Sequence, residues 1–537
     1  MKEINDWTIM IYFGGDNNLS EEMIWALKDI QAWRSSANYK GGIKVCTLLD
    51  AGGPPVRIDD DDLFQGGRPV DLKPAGLRLY HQPAIGDAVL QTTVKVREKV
   101  DTTNPKEITK VDSVKKTLTD FVTAVMKAKK FRASRYMLVL SGHGSGAIGD
   151  FLTGDKRIFG LTIRALGEVL AGVHAPGEKK KPIDILGMDS CQMSMAEVAC
   201  EVQDSVQYMI GSEGFQPNTG WPYQKVLDLL SDATTAADPG EFAEAIVRAH
   251  IEYYLDYASV DLSTDISALN LVYFQNLQGH LKKLTSALQP EDKEWKRKLD
   301  VAAPDLSQEL KKVLDTKPLW DQYVKEAIIL SHWGAQGYKK EQYVDLWDFC
   351  RLFYERLDPA KYKELYGACR DIMKVIDPDA YEQIKKSADP KGAIPGKTER
   401  FVRISGYSGP QFQHSHGVSL FFPWANLTDA AGITDLQYYQ TLRFARDTAW
   451  DEFILLYLCA AQREVRTENT TGDNLPSLLN RRTGLFFPKP GRDPEGNSYD
   501  KTKLGTAQIE SMKNPPIEWK KWFVSPMPAK QQEKTAG

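Results

Sequence analysis

Hydrophobic positions along the chain follow two rhythms. In the first half, nearly unbroken apolar runs of strand length occur at residues 7–13, 43–49, 135–141, 183–188 and 206–212. Stretches of helical period separate them. Ser20 precedes one that sets Met23, Leu27 and Ile30 on a single face, and residues 111–131, 161–173, 222–230 and 242–254 read the same way. Buried strands alternating with helices predict βαβ units and a mostly parallel sheet flanked by helices, an α/β class. Beyond about residue 258 the rhythm changes. Residues 266–271 suit one more strand, and long helical patterns follow at 275–288, 343–357, 362–376 and 436–458. The run His416-Gly-Val-Ser-Leu-Phe-Phe-Pro423 reads as a further strand closed by proline. The expected organisation is an α/β domain over 1–258 and a mainly helical C-terminal module over 259–462 with a strand near 416–423. An extended tail rich in Asn, Thr, Pro, Gly and Lys covers 463–537.

Composition narrows the class of function. A 537-residue chain with 42% hydrophobic and 26% charged residues is that of a globular protein of several domains. Its net charge of −4 argues against a nucleic-acid partner, which would call for a basic face. The six cysteines are scattered with no C-x-x-C pair, which suits a reducing compartment. No apolar run reaches the length of a membrane span, and the opening residues lack a secretory pattern. A cytoplasmic location is expected, for a chain that has not lost a leader.

The chemistry gathers at two strand ends. The strand at 183–188 leads to Asp189-Ser-Cys191, and Ser194 and Glu197 stand at the spacing of a capping box opening a helix. A thiol there would lie near backbone N–H groups and the positive end of a helix dipole, both of which favour thiolate. Taken alone, such a Cys is more simply a buried core residue. The strand at 135–141 changes that, because it ends in Ser141-Gly-His143-Gly144-Ser-Gly146. In a parallel sheet, function collects at the carboxyl ends of strands. An imidazole beside a thiolate is the minimum for nucleophilic acyl transfer.

The pair Ser141-Gly-His143-Gly144 and Gly187-Met-Asp-Ser-Cys191-Gln-Met-Ser-Met-Ala-Glu-Val resembles the clostripain-like cysteine peptidases of the caspase-like clan. The similarity extends to Trp7-Thr-Ile-Met-Ile-Tyr-Phe-Gly-Gly-Asp-Asn-Asn-Leu19, to Asn218-Thr-Gly-Trp221-Pro-Tyr223, and to scattered segments as far as about residue 460. The resemblance implies a caspase-like sheet and a dyad with His143 as general acid/base and Cys191 as nucleophile, without a rigid third member orienting the His. It implies an oxyanion hole from the backbone N–H groups of Gly144 and Cys191, and Asp189 as the acid that binds a P1 Arg or Lys. One departure weakens strict basic specificity, since Thr219 stands where relatives often carry an acid.

The expected activity is therefore an intracellular cysteine endopeptidase cleaving after basic residues, acting on protein or peptide substrates. Relatives are commonly zymogens, and Lys156 and Arg157 are the preferred processing candidates, ahead of the Lys-rich segment 179–181. Partners would include an activating protease or a regulatory protein, with no nucleic acid and no membrane. No cofactor or metal is expected. Calcium has only the Asp59–Asp62 run to suggest it, and that run reads better as a solvated acidic loop without EF-hand spacing. The alternatives are a caspase-like protein with a different P1 preference, or a catalytically silent scaffold.

Overall fold

The apolar runs of the first half become strands because only a site covered on both faces removes every side chain of such a run from water. In the computed structural model of the chain, the described residues are 4–39, 41–50, 56–65, 68–69, 114–153, 160–173, 181–255, 263–289, 320–339, 342–388, 400–423 and 430–467. Strands β1 (Asn5–Gly14), β2 (Ile43–Asp50), β4 (Ala133–Ser141), β5 (Ile183–Asp189) and β6 (Val206–Gly211) run parallel at the centre of the sheet. β3 (Val56–Asp59) pairs antiparallel on one side, and β7 (Thr264–Asn270) and β8 (Val402–Ser408) on the other. The spatial order is β8-β7-β6-β5-β4-β1-β2-β3. This is the mostly parallel α/β sheet that the hydrophobic pattern predicts.

Helices α1 (Ser20–Arg34), α2 (Val114–Lys127), α3 (Ile163–Ala171), α4 (Ala196–Val202), α5 (Tyr223–Asp228) and α6 (Pro239–Tyr254) flank the strands. α2 buries Leu118, Phe121, Val122 and Val125, each worth about 1.5–3 kcal/mol of transfer free energy when fully removed from water. Starts are set by local chemistry. Thr162 caps α3 by accepting from the Ala165 N–H, and Asp238 caps α6 by accepting from Gly240 and Glu241.

The described residues divide into two compact units. The first holds the sheet and takes in residues up to Phe274 and the segment 400–418. The expected boundary at 258 therefore falls inside it. The apolar run at 266–271 and the strand Val402–Ser408 are both needed to pair the β6 side of the sheet. The second unit is mainly helical, with helices Gln322–Gly334, Leu346–Arg356, Lys363–Ile376 and Trp450–Thr467 among them and three short strands. One of these, Ser419–Phe421, is all that becomes strand in the expected 416–423 run. The single helix expected over 436–458 is three, ending at Tyr439, restarting at Arg443, and restarting again at Trp450 after Ala449 adopts a left-handed φ of 56°. Phe422 centres this unit's core, stacked on His332 at 3.8 Å and edge-on to Trp450, Phe453 and Tyr457.

The Asp59–Asp62 run is not the solvated loop expected. Asp59 ends β3 and Asp60 opens a short 3-10 turn, both buried, Asp59 paired with Lys130 and Arg57 and Asp60 with Arg34, while Asp61 stays exposed. Burial still pushes the Asp60 carboxyl up to about 6. These carboxylates are committed to side-chain cations, and among the described residues no group of His, Cys, Asp and Glu is arranged to hold a metal. No described helix is long and apolar enough to cross a membrane. The processing candidates Lys156 and Arg157, and segment 178–180, lie outside the described residues.

Two imidazoles make stability depend on pH. His250 in the first unit and His332 in the second are fully buried, and burial lowers each from 6.5 to about 3. The unfolded chain takes up protons there that the folded chain refuses. Stability is therefore complete above about pH 6.5 and is lost as pH falls from there towards 3. Thermal melts at pH 7 and 5 are expected to show a clear drop in Tm, smaller in His250→Phe. An equal drop in variant and wild type would remove His250 from this account.

Candidate active site

β4 and β5 lie side by side with Ser141 in register with Asp189, so the turns that follow them emerge at the same edge. Gly142 makes the first turn possible. Its φ of 152° is open to glycine, its N–H donates to the Asp189 carbonyl at 3.2 Å, and a Cβ would meet Leu152 at 3.0 Å. The next residue, His143, has its carbonyl fixed by the Leu152 N–H at 2.8 Å. Gly144 then lies directly on the nucleophile's backbone. A Cβ there would stand 1.8 Å from the Cys191 carbonyl oxygen and 2.7 Å from its nitrogen. The residue after His143 is thus set against Cys191.

His143 has a further partner that the sequence reading missed. Its Nε2 lies 2.7 Å from Asn18 Oδ1. An amide oxygen only accepts, so the proton sits on Nε2 and Nδ1 is left as the basic nitrogen. Asn18 follows β1, the neighbour of β4, in the loop Gly14-Gly-Asp-Asn-Asn18. Asn17 braces that loop, donating to the Gly14 and Thr153 carbonyls at 3.0 and 2.9 Å and accepting from Leu19 N–H at 2.9 Å. The resemblance implied no rigid third member orienting the His, and the structure adds this one exposed contact. The available signal was the rule already applied to His143 and Cys191, that polar residues at carboxyl ends of adjacent parallel strands converge.

The nucleophile's setting also differs from the expectation. α4 begins only at Ala196, and no side chain caps it. The Ser194 hydroxyl bonds to Ser267 at 2.8 Å and to the Gly417 carbonyl at 2.7 Å. Between thiol and helix lies an irregular turn in which Gln192 takes a left-handed φ of 61°. Ser190 ties the turn to β4 through the Leu140 carbonyl at 3.1 Å. The thiol's polar contacts are with Gln216, whose N–H lies 3.3 Å from Sγ and whose carbonyl lies 3.9 Å from it. Burial raises the Cys191 pKa above its ordinary value, outweighing that N–H, and the charges of Asp189 and Asp265 push the same way. Burial here works against the thiolate anticipated.

Asp189 is buried beneath these turns. One oxygen accepts from Ser141 Oγ and Tyr223 OH, each at 2.8 Å, while the other has no hydrogen-bond partner. Burial raises its pKa, against the lowering effect of those hydroxyls and the Trp221 backbone. Gly220, at φ 66°, packs over the carboxylate, where a Cβ would lie 2.8 Å from one oxygen and 3.0 Å from the other. Thr219 is engaged by Tyr254 OH at 2.7 Å, and that hydroxyl also reaches the Gly220 carbonyl at 2.6 Å. An imidazole and a thiol thus stand on the turns after two adjacent strands, with a buried carboxylate at the end of one of them, a set of groups suited to acyl transfer.

The clostripain family pattern matches the chain over residues 11–457. No curated protein matches it. Among solved structures it is similar to a secreted C11 cysteine protease from Bacteroides thetaiotaomicron in complex with an irreversible peptide inhibitor, at 14% identity and a TM-score of 0.46, over 83% of this chain and 99% of that one. A secreted protease of the same organism called iotapain gives 13%, 0.48, 83% and 100% on the same measures. An inactive zymogen C11 protease from Parabacteroides distasonis gives 17%, 0.43, 83% and 99%. With the family pattern covering most of its length, the chain belongs to the clostripain family of cysteine peptidases.

Proposed function

We propose that the protein is an endopeptidase that cleaves after Arg or Lys through a His143/Cys191 dyad oriented by Asn18. The observation that carries the reading is the apposition of the His143–Gly144 turn to the Cys191 backbone. In this reaction His143 Nδ1 takes the thiol proton as Sγ attacks the scissile carbonyl. Because burial holds the resting thiol above its usual pKa, deprotonation accompanies attack rather than preceding it. The oxyanion is received by the N–H groups of Gly144 and Cys191, a contribution of about 3 kcal/mol per donor. The imidazolium then protonates the leaving amine. Water, deprotonated by the same nitrogen, releases the acyl group and restores the thiol.

Basic P1 preference is supported by the Asp189 oxygen that lacks a partner. A buried carboxylate with an unused acceptor is a costly ground state, and a guanidinium fork relieves it. The wall contributed by Thr219 is uncharged and already bonded to Tyr254, so Asp189 carries the selectivity without a second acid. Activation by a cut near Lys156 or Arg157 belongs to the same proposal, on the ground that this basic segment follows the His turn in sequence. A reducing compartment also belongs to it, supported by the free thiols of Cys46, Cys350 and Cys369.

The test is a panel of fluorogenic Arg, Lys, Asp and Asn substrates. Wild type is expected to turn over the Arg and Lys members and Cys191→Ala none. Turnover that survives Cys191→Ala would end the dyad assignment, and preference for Asp would end the role of Asp189. The KM for Arg substrates is expected to rise as pH falls through the elevated pKa of Asp189, because a neutral carboxyl cannot pair with the cation. Asp189→Asn is expected to remove that pH dependence and to cost about a hundredfold in kcat/KM. Asn18→Ala is expected to lower kcat by about ten- to a hundredfold at nearly constant KM, since it frees the imidazole without touching the P1 pocket. A change confined to KM would contradict an orienting role.

A further inference from the structure

Among the described residues few large apolar side chains stand in the open, and one of them, Phe215, is 56% exposed beside the nucleophile. An isolated surface phenylalanine ordinarily needs no explanation. The surroundings of this one are different, because the backbone on both sides of it is fixed to the reactive turn. The Gly214 carbonyl accepts from the Gln192 N–H at 2.9 Å, and the Gln216 N–H reaches Cys191 Sγ at 3.3 Å. Behind the turn, the buried Asp265 carboxylate of β7 accepts from the Glu213 and Gly214 N–H groups, each at 2.8 Å. Gly214 also packs so closely on Phe412 that a Cβ would lie 2.5 Å from its ring. The exposure of Phe215 is therefore that of a rigidly mounted ring.

We propose that Phe215 is a specificity-determining residue, an apolar shelf for the substrate side chain next to the scissile residue. The inference rests on Cys191 being the nucleophile. A peptide whose carbonyl lies at Sγ must cross the 214–216 turn, and its P1 side chain is drawn away towards Asp189, below Gly220. The neighbouring side chain is left at the ring. An aliphatic side chain there removes its own surface and that of Phe215 from water together, whereas glycine or an acid gains nothing from the contact. The occupant is thus an apolar side chain, leucine or larger.

The experiment uses two matched series of quenched peptides carrying the P1 residue that the substrate panel selects. One varies P2 and the other P1′, each through Leu, Gly and Asp. Wild type is expected to favour Leu over Gly by about tenfold in kcat/KM in one series, which identifies the position. Phe215→Ala is expected to bring that ratio close to one while the Gly peptide keeps its rate within about twofold, and Phe215→Leu to keep most of the preference. A Leu/Gly ratio that Phe215→Ala leaves unchanged would overturn the proposal. So would no Leu preference in either series, or an equal fall for all peptides. Cys191→Ala, run in parallel, separates the two readings. If it is inert while Phe215→Ala retains the ratio, the shelf alone fails. If it turns over substrate, the nucleophile assignment fails first.

Discussion

The turns after β4 and β5 depend on one backbone contact made from the side where a Cβ would stand, which only glycine allows. With Gly144 lying on the backbone of Cys191, any residue with a Cβ would drive the two strand ends apart. That contact sets the residue after His143 directly against the backbone of Cys191. The other restraints at the site act around it: the Ser190 hydroxyl on Leu140, the left-handed Gln192, and the Asn18 amide on the imidazole. Each orients a group whose position the glycine has already made possible.

The interior supplies the charges that the chemistry must work against. The charges of Asp189 and Asp265 both act to hold the Cys191 proton on. In the proposed reaction a basic P1 side chain would neutralise the nearer of them. Substrate would then ease the ionisation of the thiol that attacks it, a coupling between recognition and reactivity that needs no moving part.

Much of this was legible in the sequence because it follows from periodicity. Unbroken apolar runs could only be central parallel strands, and His143 and Cys191 could be paired because both end such strands. The edge strands were harder to read. Val56–Asp59 is short and partly charged, and Val402–Ser408 stands more than a hundred residues from its partner β7. Single hydrogen bonds were not legible at all. Nothing around Ser194 in the sequence announces that its hydroxyl reaches Ser267 and Gly417, far along the chain. The solvated loop read into Asp59–Asp62 failed because the cations that bury it come from elsewhere in the chain. Lys130 is 71 residues from Asp59.

Gly417 accepts from both Ser194 and Ser267 and donates to the Glu213 carboxylate, so the nucleophile turn is closed from behind by a residue 223 positions downstream of Ser194. During translation at about 5–20 residues per second, roughly 11–45 s separate the emergence of these two points. Throughout that interval the ribosome holds a chain that already contains His143, Cys191 and Asp189 but lacks the strand and glycine that complete the scaffold behind them. A peptidase built in this order cannot close this turn from behind until the chain has been made as far as Gly417.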